Sequence, residues 1–150
     1  MTSPLLFIDT NVLVYCFDDR DTAKRDVARR WVAMCWQRRC GRISTQVLNE
    51  FYNTARRKFS STFSVGDARV EVRRYQSWQP WAIDHSTVET AWSIETRFGF
   101  SLWDSLIVAS AQALGCAMLL TEDLQHDQVI DTLRIVNPFL LGPDALETEP

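Results

Sequence analysis

Between Pro4 and Tyr15 the chain reads PLLFIDTNVLVY. Leu5, Leu6, Phe7 and Ile8 form a continuous apolar run, the pattern of a strand covered on both faces. Val12, Leu13 and Val14 form a second apolar run, and Asp9, Thr10 and Asn11 stand between the two. A carboxylate between two buried segments is costly unless a cation, a set of donors or a raised pKa compensates it. The stretch therefore predicts a buried first strand and a polar group placed where that strand ends.

Working outward, residues 21–39 read as a helix that Asp21 or Thr22 can cap, with Val27, Trp31, Met34 and Cys35 at helical spacing. Residues 42–45 read as a short strand and 46–58 as a helix with Val47, Phe51 and Ala55 on one face. Residues 65–75 form a further expected helix and 81–83 a strand, with His85 in the loop at its end. A helix over 87–98 is stopped by Gly99, and one over 101–114 by Gly115. Residues 117–120 and 134–136 read as strands. Strands separated by helices imply a central parallel sheet flanked by helices, an α/β sandwich of α/β/α layers. The six tryptophans are expected mostly in its core, with one or two free to face an interface.

A length of 150 residues suits one domain, here residues 1–141, with 142–150 (GPDALETEP) expected as a flexible tail. A hydrophobic fraction of 46% with 23% charged residues is that of a folded globular chain. No apolar run is long enough to cross a membrane, and no secretory signal is read at the start. Cys16, Cys35, Cys40 and Cys116 make no C-x-x-C pair, so reduced thiols and a cytoplasmic location are expected.

Charge is uneven along the chain. Residues 1–75 carry 14 Lys and Arg against 8 Asp and Glu, and residues 76–150 carry 2 against 11, for a net charge of −3. A basic half inside an acidic protein points to a polyanion-facing surface, although solvated helices produce the same asymmetry.

Several carboxylates stand where such a fold concentrates chemistry, beyond the carboxyl ends of the strands. Asp9 follows the first strand, Glu122 and Asp123 follow the strand 117–120, Asp104 lies in the first turn of the helix at 101, and Glu50 precedes the apolar Phe51. Each has a structural explanation: Asp9 as a helix cap, Asp104 as the partner of Ser101 in a capping box, Glu122 and Asp123 as turn residues, Glu50 as a solvated helix residue. Their gathering at one edge favours a cation site. Two unit charges about 4 Å apart repel by roughly 4 kcal/mol at an effective dielectric of 20, so such a cluster protonates or binds an ion. Oxygen ligands without His or Cys suit Mg²⁺ or Mn²⁺, ions that act on phosphates.

FIDTNVLVY near the start, TQVLNEF at Thr45 to Phe51, WDSLIVASA at Trp103 to Ala111 and LLTEDLQH at Leu119 to His126 together resemble the PIN-domain ribonucleases, and among them the VapC-like toxins of type II toxin–antitoxin pairs. The resemblance runs from Leu5 to Pro138 with all four motifs in order. It implies a PIN-like fold and Mg²⁺- or Mn²⁺-dependent endonucleolytic cleavage of RNA by a metal-activated water. It makes Asp9, Glu50, Asp104 and Asp123 the acidic set, with Asp9 and Asp104 as direct ligands. Thr10, Asn11 and Thr121 match polar motif positions that can hydrogen-bond to them. Glu122 and Asp127 flank the fourth motif, and whether either joins the site stays open. The resemblance also implies a homodimer and a VapB-like antitoxin partner. Arg38, Arg39, Arg42, Arg56 and Arg57 are candidates to track an RNA backbone, with a solvated surface as the equal alternative.

Two rivals remain at this stage. A phosphatase of the haloacid dehalogenase type also places an Asp after its first strand, but needs a second acid where this chain has Asn11, and Lys24 and Lys58 are its only lysines. A non-catalytic PIN-like module binding RNA or protein is opposed by four intact acidic positions.

Overall fold

The computed structural model describes residues 3–147. The first strand, β1 (Leu6–Ile8), has every residue buried, as its unbroken apolar run requires. It hands directly into α1 (Thr10–Tyr15), whose Val12, Leu13 and Val14 are buried, so both apolar runs around Asp9 lie in the core. Helix α2 (Thr22–Arg38) starts at Asp21, whose carboxylate accepts the Lys24 N–H at 3.1 Å. It leads into β2 (Gly41–Arg42), and Ser44 caps α3 (Thr45–Lys58) by accepting the Val47 N–H at 3.3 Å. Then come α4 (Val65–Arg74), a 3₁₀ turn (Tyr75–Trp78), α5 (His85–Phe98) and α6 (Leu102–Ala113). The chain closes with β3 (Met118–Leu120), β4 (Val129–Ile130), β5 (Leu133–Val136) and α7 (Asp144–Glu147).

The strands form one sheet in the order β2-β1-β3-β5-β4. β1 pairs in parallel with β2 and β3, β3 pairs in parallel with β5, and only β4 is antiparallel. The expected α/β sandwich around a largely parallel sheet is thus the observed one. Leu6 is aligned with Met118, and Ile8 with Leu120, so β1 and β3 end level with each other. Asp9 and Thr121 therefore leave the sheet side by side. The Asp9 N–H donates to the Leu120 carbonyl at 3.1 Å and seals that junction.

Trp31, Phe7 and Phe51 are the largest fully buried side chains, and the Trp31 indole N–H reaches the Pro138 carbonyl at 3.1 Å. β2 runs flush against a tryptophan: a Cβ on Gly41 would lie 2.4 Å from the Trp78 ring, so only glycine fits there.

Three expectations need correction. Residues 81–83 form no strand, because Trp81 makes only a single parallel bridge to Ser44. The short strand expected at 42–45 is Gly41–Arg42, since Ser44 is taken as the cap of α3. His85 begins α5, because Asp84 caps that helix by accepting the Thr87 N–H at 2.8 Å. The tryptophans keep to the expectation of mostly core positions, with Trp92 and Trp103 the two exposed ones, at 45% and 63%. Of the expected tail, residues 148–150 lie outside the described residues, and Asp144 in α7 accepts from Arg30 at 2.6 Å.

Candidate active site

Asp9 is 5% exposed and serves as the N-cap of α1. Its Oδ1 accepts the Thr10 N–H at 2.7 Å, and its Oδ2 accepts the Thr121 hydroxyl at 2.8 Å and the Asn11 amide at 3.4 Å. The capping explanation and the site explanation therefore coincide: the cap brings the carboxylate to the sheet edge. Burial pushes the Asp9 carboxyl up to about 7, the Thr121 and Thr10 donors oppose that, and the charges of Asp123 and Glu50 push it further.

Asn11 is the hub of the next layer. Its Nδ2 donates to Asp123 at 3.1 Å and to Thr121 at 3.1 Å, and its Oδ1 accepts the Glu122 N–H at 3.3 Å. The Thr121 hydroxyl also accepts the Asp123 N–H at 3.1 Å, which fixes the loop after β3 against the start of α1. Glu50, on α3, is tied in from the other side. Its Oε2 accepts the Thr10 hydroxyl at 2.9 Å and its Oε1 accepts the Gln46 amide at 2.8 Å. The same Gln46 amide reaches the Trp103 carbonyl at 3.2 Å, which pins α3 to the residue preceding Asp104.

Asp104 sits in the first turn of α6, where its N–H donates to the Ser101 hydroxyl at 3.1 Å. Burial, then the Asp123 charge, hold its carboxyl above the usual range; Ser101 pulls it down and Glu50 adds to the rise. The four acidic residues thus share one electrostatic neighbourhood. They are not closed around a point: among the described residues no three acidic, histidine or cysteine side chains are arranged to hold an ion. Three of them are held by neutral donors, Asp9 by Thr121, Glu50 by Thr10 and Gln46, and Asp123 by Asn11. The donor set is all oxygen and anionic, which is the chemistry of a hard dication.

The two residues left open beside Asp123 are accounted for. Glu122 accepts from Lys24 Nζ at 2.9 Å, and Asp127 is paired with Arg134. Lys24 also lies 5.0 Å over the rings of Tyr15 and Phe139. A cavity of about 360 Å³ opens beside the carboxylates, lined on one wall by Thr10, Asn11 and Asp123 and on the other by Glu50, Asn53, Thr54 and Lys58.

The candidate arginines divide. α2 begins beside Glu122 and ends at β2, whose Gly41 is level with Leu6 at the start of β1. Arg38 and Arg39 therefore lie at the opposite edge of the sheet, and Arg42 folds toward it by donating to the Gly41 carbonyl at 2.8 Å. These three are not brought to the carboxylates. Arg56 and Arg57 lie in the last turn of α3, the turn that carries Lys58, and do not line the cavity; Arg56 is stacked 5.3 Å over Tyr52. Gln46, Lys24 and Lys58 went unrecognised as site neighbours in the sequence. The available signal was the four-residue spacing of Gln46, Glu50, Thr54 and Lys58, which gives α3 a polar stripe beside its apolar one.

A larger cavity of about 700 Å³ lies away from this chemistry, between α2 and α4, lined by Cys16, Trp36 and Arg74 among others. Its walls are mostly apolar and hold no carboxylate group besides Glu71.

The family model described as PIN domain matches residues 6–131. A search of curated proteins by similarity returns no match. Among solved structures, the chain is similar to VapC20 of Mycobacterium tuberculosis, a sarcin-ricin loop cleaving toxin, with a TM-score of 0.59 and 19% identity over 79% of this chain and 91% of that one. It is also similar to a chain of a toxin–antitoxin complex from Klebsiella pneumoniae, with a TM-score of 0.58 and 18% identity over 89% of this chain and 97% of that one. At such identities the likeness concerns the fold.

Proposed function

This chain belongs to the PIN domain family, and from that premise we propose that it is a metal-dependent endoribonuclease, the toxin of a toxin–antitoxin pair. The observation that carries the reading is that Asp9, Glu50, Asp104 and Asp123 come from four separate elements to one sheet edge, where the charges of Asp123 and Glu50 bear on both Asp9 and Asp104. Similarity to a toxin that cleaves RNA and to a toxin–antitoxin complex supports the substrate class and the antitoxin partner. Like the partner, a homodimer and a cytoplasmic setting belong to this proposal.

Asp9 and Asp104 would hold Mg²⁺ or Mn²⁺, with Glu50 and Asp123 joining them. When bound, such an ion lowers the pKa of a water and neutralises charge on a phosphodiester oxygen. The protein's own part is positional. Thr121 and the Thr10 N–H orient Asp9, Asn11 orients Asp123, and the Thr10 hydroxyl with Gln46 orients Glu50. The Thr121 and Thr10 donors favour the ionised form of Asp9 and so oppose, without cancelling, the rise that its burial causes.

Asn11 argues against the phosphatase reading. Its amide NH2 has two hydrogens to share among Asp9, Thr121 and Asp123, which makes it a bridge between carboxylates and not a proton source. The scarcity of lysine no longer counts against that reading, since Lys58 lines the cavity and Lys24 pairs beside it.

The test is cleavage of end-labelled RNA by the purified chain with Mg²⁺ or Mn²⁺ and with a chelator, alongside Asp104→Asn. The proposal predicts cleavage that the chelator abolishes and that Asp104→Asn loses while RNA binding persists. Cleavage indifferent to both would remove the metal mechanism. Growth arrest on expression, relieved by Asp9→Ala, tests the toxin role.

A further inference from the structure

The cavity beside the carboxylates is elongated along α3. Glu50, Thr54 and Lys58 follow each other at four-residue intervals and all line it, with Asn53 between them. Eight residues of helix separate Glu50 from Lys58, a rise of about 12 Å. The groove therefore extends well past the reacting centre, and its far end is of a different chemical kind. The near end holds Glu50 and Asp123.

The charges around it are disposed unequally. Asp18, which also lines the groove, is engaged by Arg20 through two contacts at 3.0 and 3.2 Å. Glu122 is engaged by Lys24. Lys58 makes no hydrogen bond and no short ion pair among the described residues, although its charge reaches Asp18 and lowers that carboxyl. Asp18 and Glu122 are thus each paired with another cation, and the Lys58 side chain has no such close partner among the described residues. Arg56 and Arg57 precede it and are exposed, and neither has an acidic partner among the described residues. Asn53 and Thr54 add neutral donors beside it.

Resting on the ribonuclease reading above, we infer that the groove between α1 and α3 is a seat for the RNA backbone flanking the cut site, with Lys58 as its phosphate contact and Asn53 and Thr54 as neutral partners. An ammonium on a flexible stem suits a phosphate whose position varies with sequence, because it acts as a point charge without fixed geometry. Such a contact carries no base preference, so it adds affinity uniformly.

The experiment uses the full chain carrying Asp104→Asn, so that RNA is bound and not cut, and a fluorescently labelled random single-stranded RNA as probe. Affinity is measured across a range of salt for this protein and for its Lys58→Gln, Lys58→Arg and Arg38→Gln derivatives. Losing one phosphate contact on a single strand makes the slope of log K against log salt shallower by about 0.7 and weakens binding roughly threefold to tenfold at low salt. Lys58→Gln is expected to show both changes, Lys58→Arg to restore them, and Arg38→Gln, at the other sheet edge, to show neither. In the otherwise native enzyme Lys58→Gln should raise KM with little change in kcat. An unchanged salt slope in Lys58→Gln overturns the inference. So does a change that appears only in binding of a protein antitoxin. Absence of any RNA cleavage by the unmutated chain would instead defeat the ribonuclease reading, which makes the two failures separable.

Discussion

Replacing Asp9 by Asn should stabilise the metal-free protein at alkaline pH, even though it removes a central site residue. Burial raises the Asp9 carboxyl from 3.8 to about 7. For an acid, a folded-state pKa above the unfolded one means that the folded state binds its proton more tightly. Stability from this group is therefore fully present below the unfolded value and is lost as pH rises toward the folded one. The window is about 3 pH units wide at 1.36 kcal/mol each, so ionising Asp9 in the absence of an ion costs roughly 4 kcal/mol above pH 7. Asn carries no charge at any pH. It does have only one acceptor oxygen for the donors of Thr10, Thr121 and Asn11, and an unmet buried donor costs about 1–3 kcal/mol at every pH. The robust quantity is thus the change with pH of the difference between the two proteins. Roughly 2 kcal/mol of it should fall between about pH 5.5 and about pH 8.5. Urea unfolding followed by tryptophan fluorescence, with chelator present, reads it directly. Adding Mg²⁺ or Mn²⁺ should then recover stability for the native chain at high pH and not for Asp9→Asn. A difference that stays constant across this range would refute the argument that Asp9 is an uncompensated buried acid.

Other consequences can be measured separately. Asp104→Asn should lower RNA cleavage about a hundredfold or more, read by initial rates, because a ligand charge is lost while the Ser101 cap of α6 remains. Gly41→Ala should cost about 1–3 kcal/mol in unfolding free energy, since the added methyl group overlaps the Trp78 ring. Trp31→Ala should cost about 3–5 kcal/mol, whereas Trp103→Ser, at a site 63% exposed, should change thermal stability by no more than about 0.5 kcal/mol.

The architecture was readable because its strongest signals are local. An unbroken apolar run marked β1, and caps at Asp21, Ser101 and Gly99 marked helix ends that the structure keeps. What stayed hidden depends on contacts between distant segments. β4 has only two residues and exists because its hairpin folds back on β5, with Asp131 in the left-handed region at φ 57°. Residues 81–83 read as a strand, yet only Trp81 meets the sheet, through the Ile43 to Thr45 backbone beyond the edge strand β2, and one bridge is all that forms. The acidic positions could be named from their motifs. The roles of Gln46 and Lys58 could not, since a polar stripe on α3 looks like a solvated face until α1 is laid against it. Likewise, Arg38, Arg39 and Arg42 looked continuous with Arg56 and Arg57 in charge alone, and a helix running the length of the sheet carries them to its other end.

One half of the rim is part of the sheet itself. The Asp9 amide is bonded to Leu120, and its carboxylate to Thr121, the residue that follows β3. Deuterium should replace the hydrogen on that amide only when the whole domain opens, at the pace of the slowest core positions. Asp104 is anchored outside the sheet: it lies in the first turn of α6, reached through the turn at Gly99, and is held by the Ser101 cap and by the Gln46 contact to the Trp103 carbonyl. Amides of that first turn, which lie outside the sheet ladder, should exchange sooner, through local opening. Hydrogen exchange should therefore divide the rim into a wall that opens only with the domain and a wall that opens on its own.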